Sequence, residues 1–308
     1  MIDYHKTVNG VVTSIESFED GCWINCTDPQ EDEINMLIET FNIDPDLFRA
    51  SLDKEESSHV DVTDNTALIV IDTPEVKKSD NNITYSTMPL SIMIVDKCVI
   101  TVSIKENPIL EEFSEGIIKN IETSFKTNFL LSVMLRVTSK YLQYLNQIDK
   151  ISHHIENEMR KSMRNKELLQ FLEIEKSLVY FSTSLKSNSL TLQRIMRGKY
   201  IKLYEDDQDL MDDLVIEVKQ ALEMSDIYLN ILSSTMETFA SIISNNLNVV
   251  MKVLASITLI MSIPTIVSGF YGMNGEGLFM QDSNIFPLIL SIILMIIAWY
   301  ILRKKNML

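Results

Sequence analysis

Near the C-terminal end of the chain, Asn248, Met251, Leu254, Thr258, Ser262, Thr265 and Gly269 recur at intervals of three or four residues. That average of about 3.5 residues is the period of a coiled-coil seam, so all seven fall on one side of a helix. Their neighbours are apolar, and Val253 to Tyr271 contains no charged residue. Lipid cannot satisfy the hydrogen bonds of Asn, Thr and Ser, so such a stripe faces other helices or water. Polar glue between packed transmembrane helices is the commonplace outcome. The chemistry open to it otherwise is to hold a hydrated cation by its waters. The stripe runs into Tyr271, Gly272, Met273 and Asn274. Gly272 exposes a backbone carbonyl and Asn274 a neutral amide oxygen, whereas Met273 suits packing between helices. A small divalent cation that dehydrates reluctantly is well met by such oxygens. A ring of carboxylates would bind it more tightly and release it more slowly. Gly and Asn also favour helix C-caps, and the two roles share one geometry.

The elements that must position these residues are long. About 20 apolar residues cross a bilayer's hydrocarbon core. The helix carrying the stripe starts near Glu205 and need not stop before Tyr271, a rise of roughly 100 Å at 1.5 Å per residue. That length implies a stalk running into a first membrane span at about 249–271, kinked at Pro264. Phe286 to Leu302 is a second, shorter span, followed at once by Arg303-Lys304-Lys305. The connecting loop carries Glu276 and Asp282 and no basic residue, while Lys252 opens the first span. By the distribution of positive charge both termini lie inside.

Upstream, residues 1–112 read as a mixed α/β domain. Val11–Ile15, Gly21–Asn25, Ala67–Asp72, Leu90–Val95 and Cys98–Val102 are strand candidates, the last closing a hairpin at Asp96-Lys97. Pro29 to about Phe41 is a helix candidate. Pro108 ends the strand region, and from about Ser114 the pattern becomes helical. Two long antiparallel helices, Phe125 to about Ser162 and Lys166 to Arg197, fill 113–204, with Arg197-Gly198 marking the second end. His153 and His154 are adjacent on the first and point apart, as solvated residues do. The remaining divisions are 205–272 for the stalk and first span, 273–285 for the external loop, 286–302 for the second span and 303–308 for a basic cytosolic tail.

A net charge of −16 and a pI near 4.7 argue against nucleic acid as a partner. Cys22 and Cys26 lack the second pair of a zinc site, and with Cys98 they make a sparse, odd count suited to a reducing compartment. The N-terminus has no apolar stretch of a cleaved signal. No nucleophile–base set and no phosphate-binding glycine loop stands out, so an enzyme is not expected. One further cluster invites a cation. In the acidic run Glu205 to Asp213, Asp209 and Asp213 continue to Glu217 at a spacing of four, and three carboxylates share a helix face. Their repulsion opposes the helix by a few tenths of a kcal/mol per pair until a cation binds. A solvated acidic helix start, favoured by the helix dipole, has the same pattern.

Gly-Met-Asn after Tyr271, Asn248-x-x-Met251-Lys252 at the helix start, and the short loop and second span resemble the CorA family of divalent-cation, chiefly magnesium, channels and transporters. The resemblance covers the whole arrangement of the chain. It implies an α+β fold: an N-terminal cytosolic α/β domain, a long helical stalk and two C-terminal transmembrane helices, assembled as a homo-pentameric funnel in the cell membrane. It assigns Gly272, Met273 and Asn274 to a selectivity filter at the outer mouth, and the row from Asn248 to Gly269 to the pore lining. Mg²⁺ is then the transported and the regulatory ion, with cobalt or nickel as further cargo. Counted back from the motif, Asp213 is similar in position to a family acid at an inter-subunit regulatory site. Asp209, Asp80 and Glu75 are its possible companions, although Lys77 stands where the family has an acid. The family often carries larger apolar residues at the positions of Thr258 and Ser262. Two rivals remain: a zinc transporter of the same superfamily, and a membrane-tethered coiled-coil adaptor that carries no ion.

Overall fold

The structure is a computed structural model, and it describes residues 1–63, 66–79, 82–161, 165–198, 201–273 and 285–307. The chain forms two compact units, Met1–Ser233 and Ser234–Leu308.

The first unit is built on a seven-stranded sheet. Its strands are β1 (Ile2–Val8), β2 (Val11–Ile15), β3 (Trp23–Thr27), β4 (His59–Thr63), β5 (Thr66–Ser79), β6 (Asn82–Ile94) and β7 (Val99–Ser103). Their order across the sheet is β2-β1-β3-β7-β6-β5-β4. Every pairing is antiparallel except β3 with β7, where Trp23 stands opposite Val99. The central strand β7 is buried at all five positions, as a strand covered on both faces must be. On one face Ile24, Met93, Ile100 and Val102 pack against α1 (Glu31–Phe41) and α2 (Pro45–Ala50) through Leu37, Leu47 and Phe48. On the other, Trp23 meets Phe113 of α3 (Pro108–Ser114) at 6.5 Å and Phe129 of α4 (Lys126–Lys161) at 5.2 Å. The Trp23 indole N–H donates to the Thr101 hydroxyl at 2.8 Å, so its polar edge is satisfied inside.

Helix α5 (Asn165–Met196) lies beside α4 and grips β5 by its backbone. Asn188 accepts from the Asp72 N–H and donates to the Asp72 carbonyl, both at 2.8 Å. Tyr141 of α4 donates to the same carbonyl at 3.1 Å. A single 3-10 turn, Glu205–Asp207, precedes α6 (Gln208–Tyr271). The part of α6 inside the first unit buries Leu214, Val218 and Ala221. Polar ties hold it to its neighbours: the Ser139 hydroxyl donates to Glu217 at 2.9 Å, Ser182 to Asp226 at 2.8 Å and Ser233 to Glu175 at 3.0 Å.

Several expectations shift. The runs at 67–72 and 90–95 mark only the inner end of a longer hairpin, β5 with β6, whose outer part pairs Thr73 with Met88 and Lys77 with Thr84. Pro108 does not merely end the strands. It begins α3, with Asn107 accepting from the Ile109 N–H at 3.0 Å as the cap. Helix also does not run on from Ser114. Gly116, at φ +66°, turns the chain, and a Cβ there would meet Val11 Cγ1 at 2.9 Å. Only glycine fits that approach, and helix resumes at Lys126.

Candidate functional site

In the second unit, the C-terminal part of α6 runs antiparallel to α7 (Phe286–Lys304). The pair is pinned at both ends. The rings of Tyr271 and Phe286 lie 6.0 Å apart, and the Ser256 hydroxyl donates to the Met307 carbonyl at 3.1 Å. Between these ends Ile263 and Val267 face Leu294, Ile297, Ala298 and Ile301 across an apolar seam. Pro264 sits within the continuous helix.

The polar row lies elsewhere on α6. At 3.6 residues per turn its mean direction is roughly 160° from that of Ser256, Ile263, Val267 and Tyr271, which face α7. Asn248, Met251, Leu254, Thr258, Thr265 and Gly269 are exposed and Ser262 is half-buried. Gly269 has open space where a Cβ would stand. Two of the row's hydroxyls are held in one orientation. Thr258 donates to the Leu254 carbonyl at 2.9 Å and Ser262 to the Leu259 carbonyl at 2.8 Å. A hydroxyl that spends its proton on its own helix keeps lone pairs outward. Waters bound to a cation point their hydrogens outward, so acceptors are the complementary lining.

The row ends at Gly272, whose N–H donates to the Ser268 carbonyl at 2.9 Å as the last helical turn closes. A Cβ at Gly272 would stand 3.1 Å from that carbonyl oxygen, a crowded approach. Met273 is exposed. Asn274, Glu276, Asp282 and Asp80 lie outside the described residues.

The acidic run divides by role. Asp207 is buried and structural, accepting from the Asn128 amide at 3.2 Å and the Tyr204 N–H at 3.3 Å. Asp212 accepts from Gln208 at 3.0 Å. Asp209 and Asp213 are exposed, and Glu217 is held by Ser139. Glu75 is already taken within its own unit. It meets the Lys105 ammonium, accepts from Ser86 at 3.1 Å and stands 3.8 Å from Lys77. Burial pushes its carboxyl up, but Lys105, Ser86 and Lys77 outweigh that and hold it below the usual range. Among the described residues, no three His, Cys, Asp or Glu side chains converge on one point. His153 is exposed and lies 3.6 Å from Asp149 on its own helix.

Sequence reasoning passed over the ties at the other end of the helix pair, Ser256 to Met307 and the Arg303 guanidinium over the Trp299 ring at 5.2 Å. The spacing of four between Trp299 and Arg303 was the available signal.

Residues 18–304 match the family model described as CorA-like Mg2+ transporter protein. The cobalt/magnesium transport protein CorA of Methanocaldococcus jannaschii is 26% identical over 300 residues, covering 94% of this chain and 93% of that protein. The magnesium transport protein CorA of Campylobacter jejuni is 24% identical over 330 residues, covering 98% of each. The complete structure of the CorA magnesium transporter from Methanocaldococcus jannaschii superposes with a TM-score of 0.85 at 22% identity, covering 100% of this chain and 99% of that one. That likeness carries the fold: the α/β unit, the long helix and two candidate C-terminal membrane helices. With the family model spanning all but the ends of its 308 residues, the chain belongs to the CorA-like Mg2+ transporter proteins.

Proposed function

We propose that several copies of this chain form a channel that passes hydrated Mg²⁺ down its electrochemical gradient through a central pore. The observation that carries this reading is the orientation of the polar row: its members turn away from α7, and its hydroxyls present lone pairs. An ion kept in its water shell needs that lining and no dehydration step. Every residue from 241 to 252 is exposed within the chain, although Leu247, Val250 and Met251 are apolar. A helix uncovered all round requires other copies to cover it. The family resemblance supplies the number five. Gly272 and Asn274 form the outer ring, with Met273 packed behind them. Thr265, Ser262 and Thr258 meet the ion's waters below it. Met251 and Leu254 close the path by dewetting, and Asn248 rings the cytosolic exit. The sequence divisions at 112, 204, 272, 285 and 302 then separate funnel, stalk and membrane parts, with both termini cytosolic. A divalent ion driven by −100 mV gains roughly 4.6 kcal/mol, so no coupled hydrolysis is required. The test is uptake by a strain lacking magnesium transport. The wild type restores growth and Asn274→Ala does not, at equal expression. An adaptor without flux restores growth in neither form. Isotopic uptake with zinc as competitor separates the zinc reading.

Closure by cytosolic Mg²⁺ rests on Asp213, exposed and ready to meet an acid of a neighbouring copy. Glu75, engaged by Lys105, is the poorer companion, which leaves Asp209 and Asp80. Mg²⁺ protects the wild type from limited proteolysis more than it protects Asp213→Lys. Equal protection removes the assignment.

A further inference from the structure

The basic end of the α6–α7 pair has the form of a headgroup site. Ser256 binds the Met307 carbonyl, so the chain end after α7 folds against α6 one turn from Lys252. The reversal is fixed by Asn306 at φ 53° and by the Met307 N–H donating to the Leu302 carbonyl at 3.0 Å. Lys252, Arg303, Lys304 and Lys305 are thereby gathered at one level, and all four are exposed. The rise from Lys252 to Tyr271 is about 29 Å, the thickness of the hydrocarbon core. When Tyr271 reaches one interface, these four charges lie at the other.

They are also unspent. In a chain with 43 acidic and 27 basic residues, several cations of the first unit find carboxylates. Lys6 pairs with Glu19, Arg136 and Lys140 with Glu112, Arg160 with Glu156 and Lys186 with Asp226. Among the described residues no carboxylate pairs with Lys252, Arg303, Lys304 or Lys305. Arg303 is instead laid over the Trp299 ring. Stacking uses the guanidinium face and leaves its N–H edge free for two oxygens of one anion. Trp299 and Tyr300 are themselves exposed at that level, where aromatic rings bridge acyl chain and headgroup.

We infer that this end binds anionic phospholipid headgroups, with Arg303, oriented by Trp299, gripping the phosphate and Lys252, Lys304 and Lys305 supplying the field. The inference rests on the membrane-spanning reading of α6 and α7, and the experiment separates the two. Full-length protein is reconstituted in phosphatidylcholine bilayers holding an equal fraction of brominated phosphatidylglycerol or brominated phosphatidylcholine, and Trp299 emission is followed. Trp23, fully buried in the first unit, gives a constant background. Brominated phosphatidylglycerol quenches with a preference of roughly tenfold, and Arg303→Gln lowers it by about fivefold, the contribution of one basic residue at a charged surface. Arg303→Lys, which keeps the charge without the stacked fork, falls between. The four-residue change to Gln, or 1 M salt, brings the preference below about twofold. Equal quenching by both lipids overturns the headgroup site and leaves the membrane reading standing. Quenching by neither removes the membrane reading and the site with it. Loss of the preference in millimolar inorganic phosphate assigns the cluster to free phosphate and overturns the lipid.

Discussion

The two units of the chain are sorted in opposite senses. In Met1–Ser233, Trp23, Phe129 and Phe181 are fully buried and charged side chains line the outside. In Ser234–Leu308, Met261 is 70% exposed, Ile266 66% and Tyr300 63%, while Ser256 and Ser291 are buried at 1% and 7%. Each buried serine donates to a backbone carbonyl, of Met307 and of Leu288. The first unit carries its own solvent-excluding core. The second keeps apolar side chains outside as well as in the α6–α7 seam, as helices do when lipid is the solvent. Stability of the first is therefore a property of the single chain, whereas on the proposed assembly that of the second is shared with its surroundings.

The largest expected effect tests that difference directly. Phe181 sits edge-on to Tyr141 at 4.9 Å and to Tyr85 at 5.9 Å, and Phe181→Ala costs the first unit about 3–5 kcal/mol. Leu254→Ala, 57% exposed in the second unit, shifts the same transition by less than about 0.5 kcal/mol. Denaturant unfolding followed by Trp23 emission reads both. A comparable loss from Leu254→Ala means that the units share one core, and the contrast fails.

How far each unit was legible follows from the same contrast. The second was read well because apolarity without charge is unambiguous over 17 to 20 residues, and a polar row within it stands out. The first was read in its middle and lost at its edges. Val70, Ile71 and Ile92 announce buried strands, whereas the outer hairpin from Thr73 to Ser79 carries a proline and mostly polar residues and looks like loop until its partner strand is known. β1 was not among the strand candidates, for a sharper reason: His5 is its inward residue, 6% exposed, so the polar member of the pattern faces the core. Asp44-Pro45 and Asn107-Pro108 did carry cap-then-proline starts for α2 and α3, but helices of 6 and 7 residues are too short to show a period. At the motif, Gly272 is placed and Asn274 lies outside the described residues, so the filter rests on the resemblance.

The smallest effect concerns that inward histidine. The His5 ring lies 4.8 Å from the Trp23 ring, and its Nδ1 has no hydrogen-bond partner among the described residues. Burial pushes its pKa down, only partly offset by Asp3, so folding favours the neutral ring. Unfolded, the imidazole takes a proton below about 6.5. The unit is thus most stable above that pH and loses stability as pH falls through it. Glu112 contributes with the opposite kind of shift. Burial raises its pKa, but Arg136 and Lys140 pull it below the usual value, so its support is lost only as pH drops past about 4. Between pH 7 and 5 the histidine is separated from it. The Asp72 carboxyl, raised by burial against the hydrogen bond from Ser184, runs the other way but is common to any His5 variant and cancels in the difference. His5→Phe, which keeps a ring against Trp23, flattens the fall in melting temperature between pH 7 and 5 relative to the wild type. Parallel curves would mean that His5 is protonated to the same extent folded and unfolded, and that the first unit admits water where its core is drawn as dry.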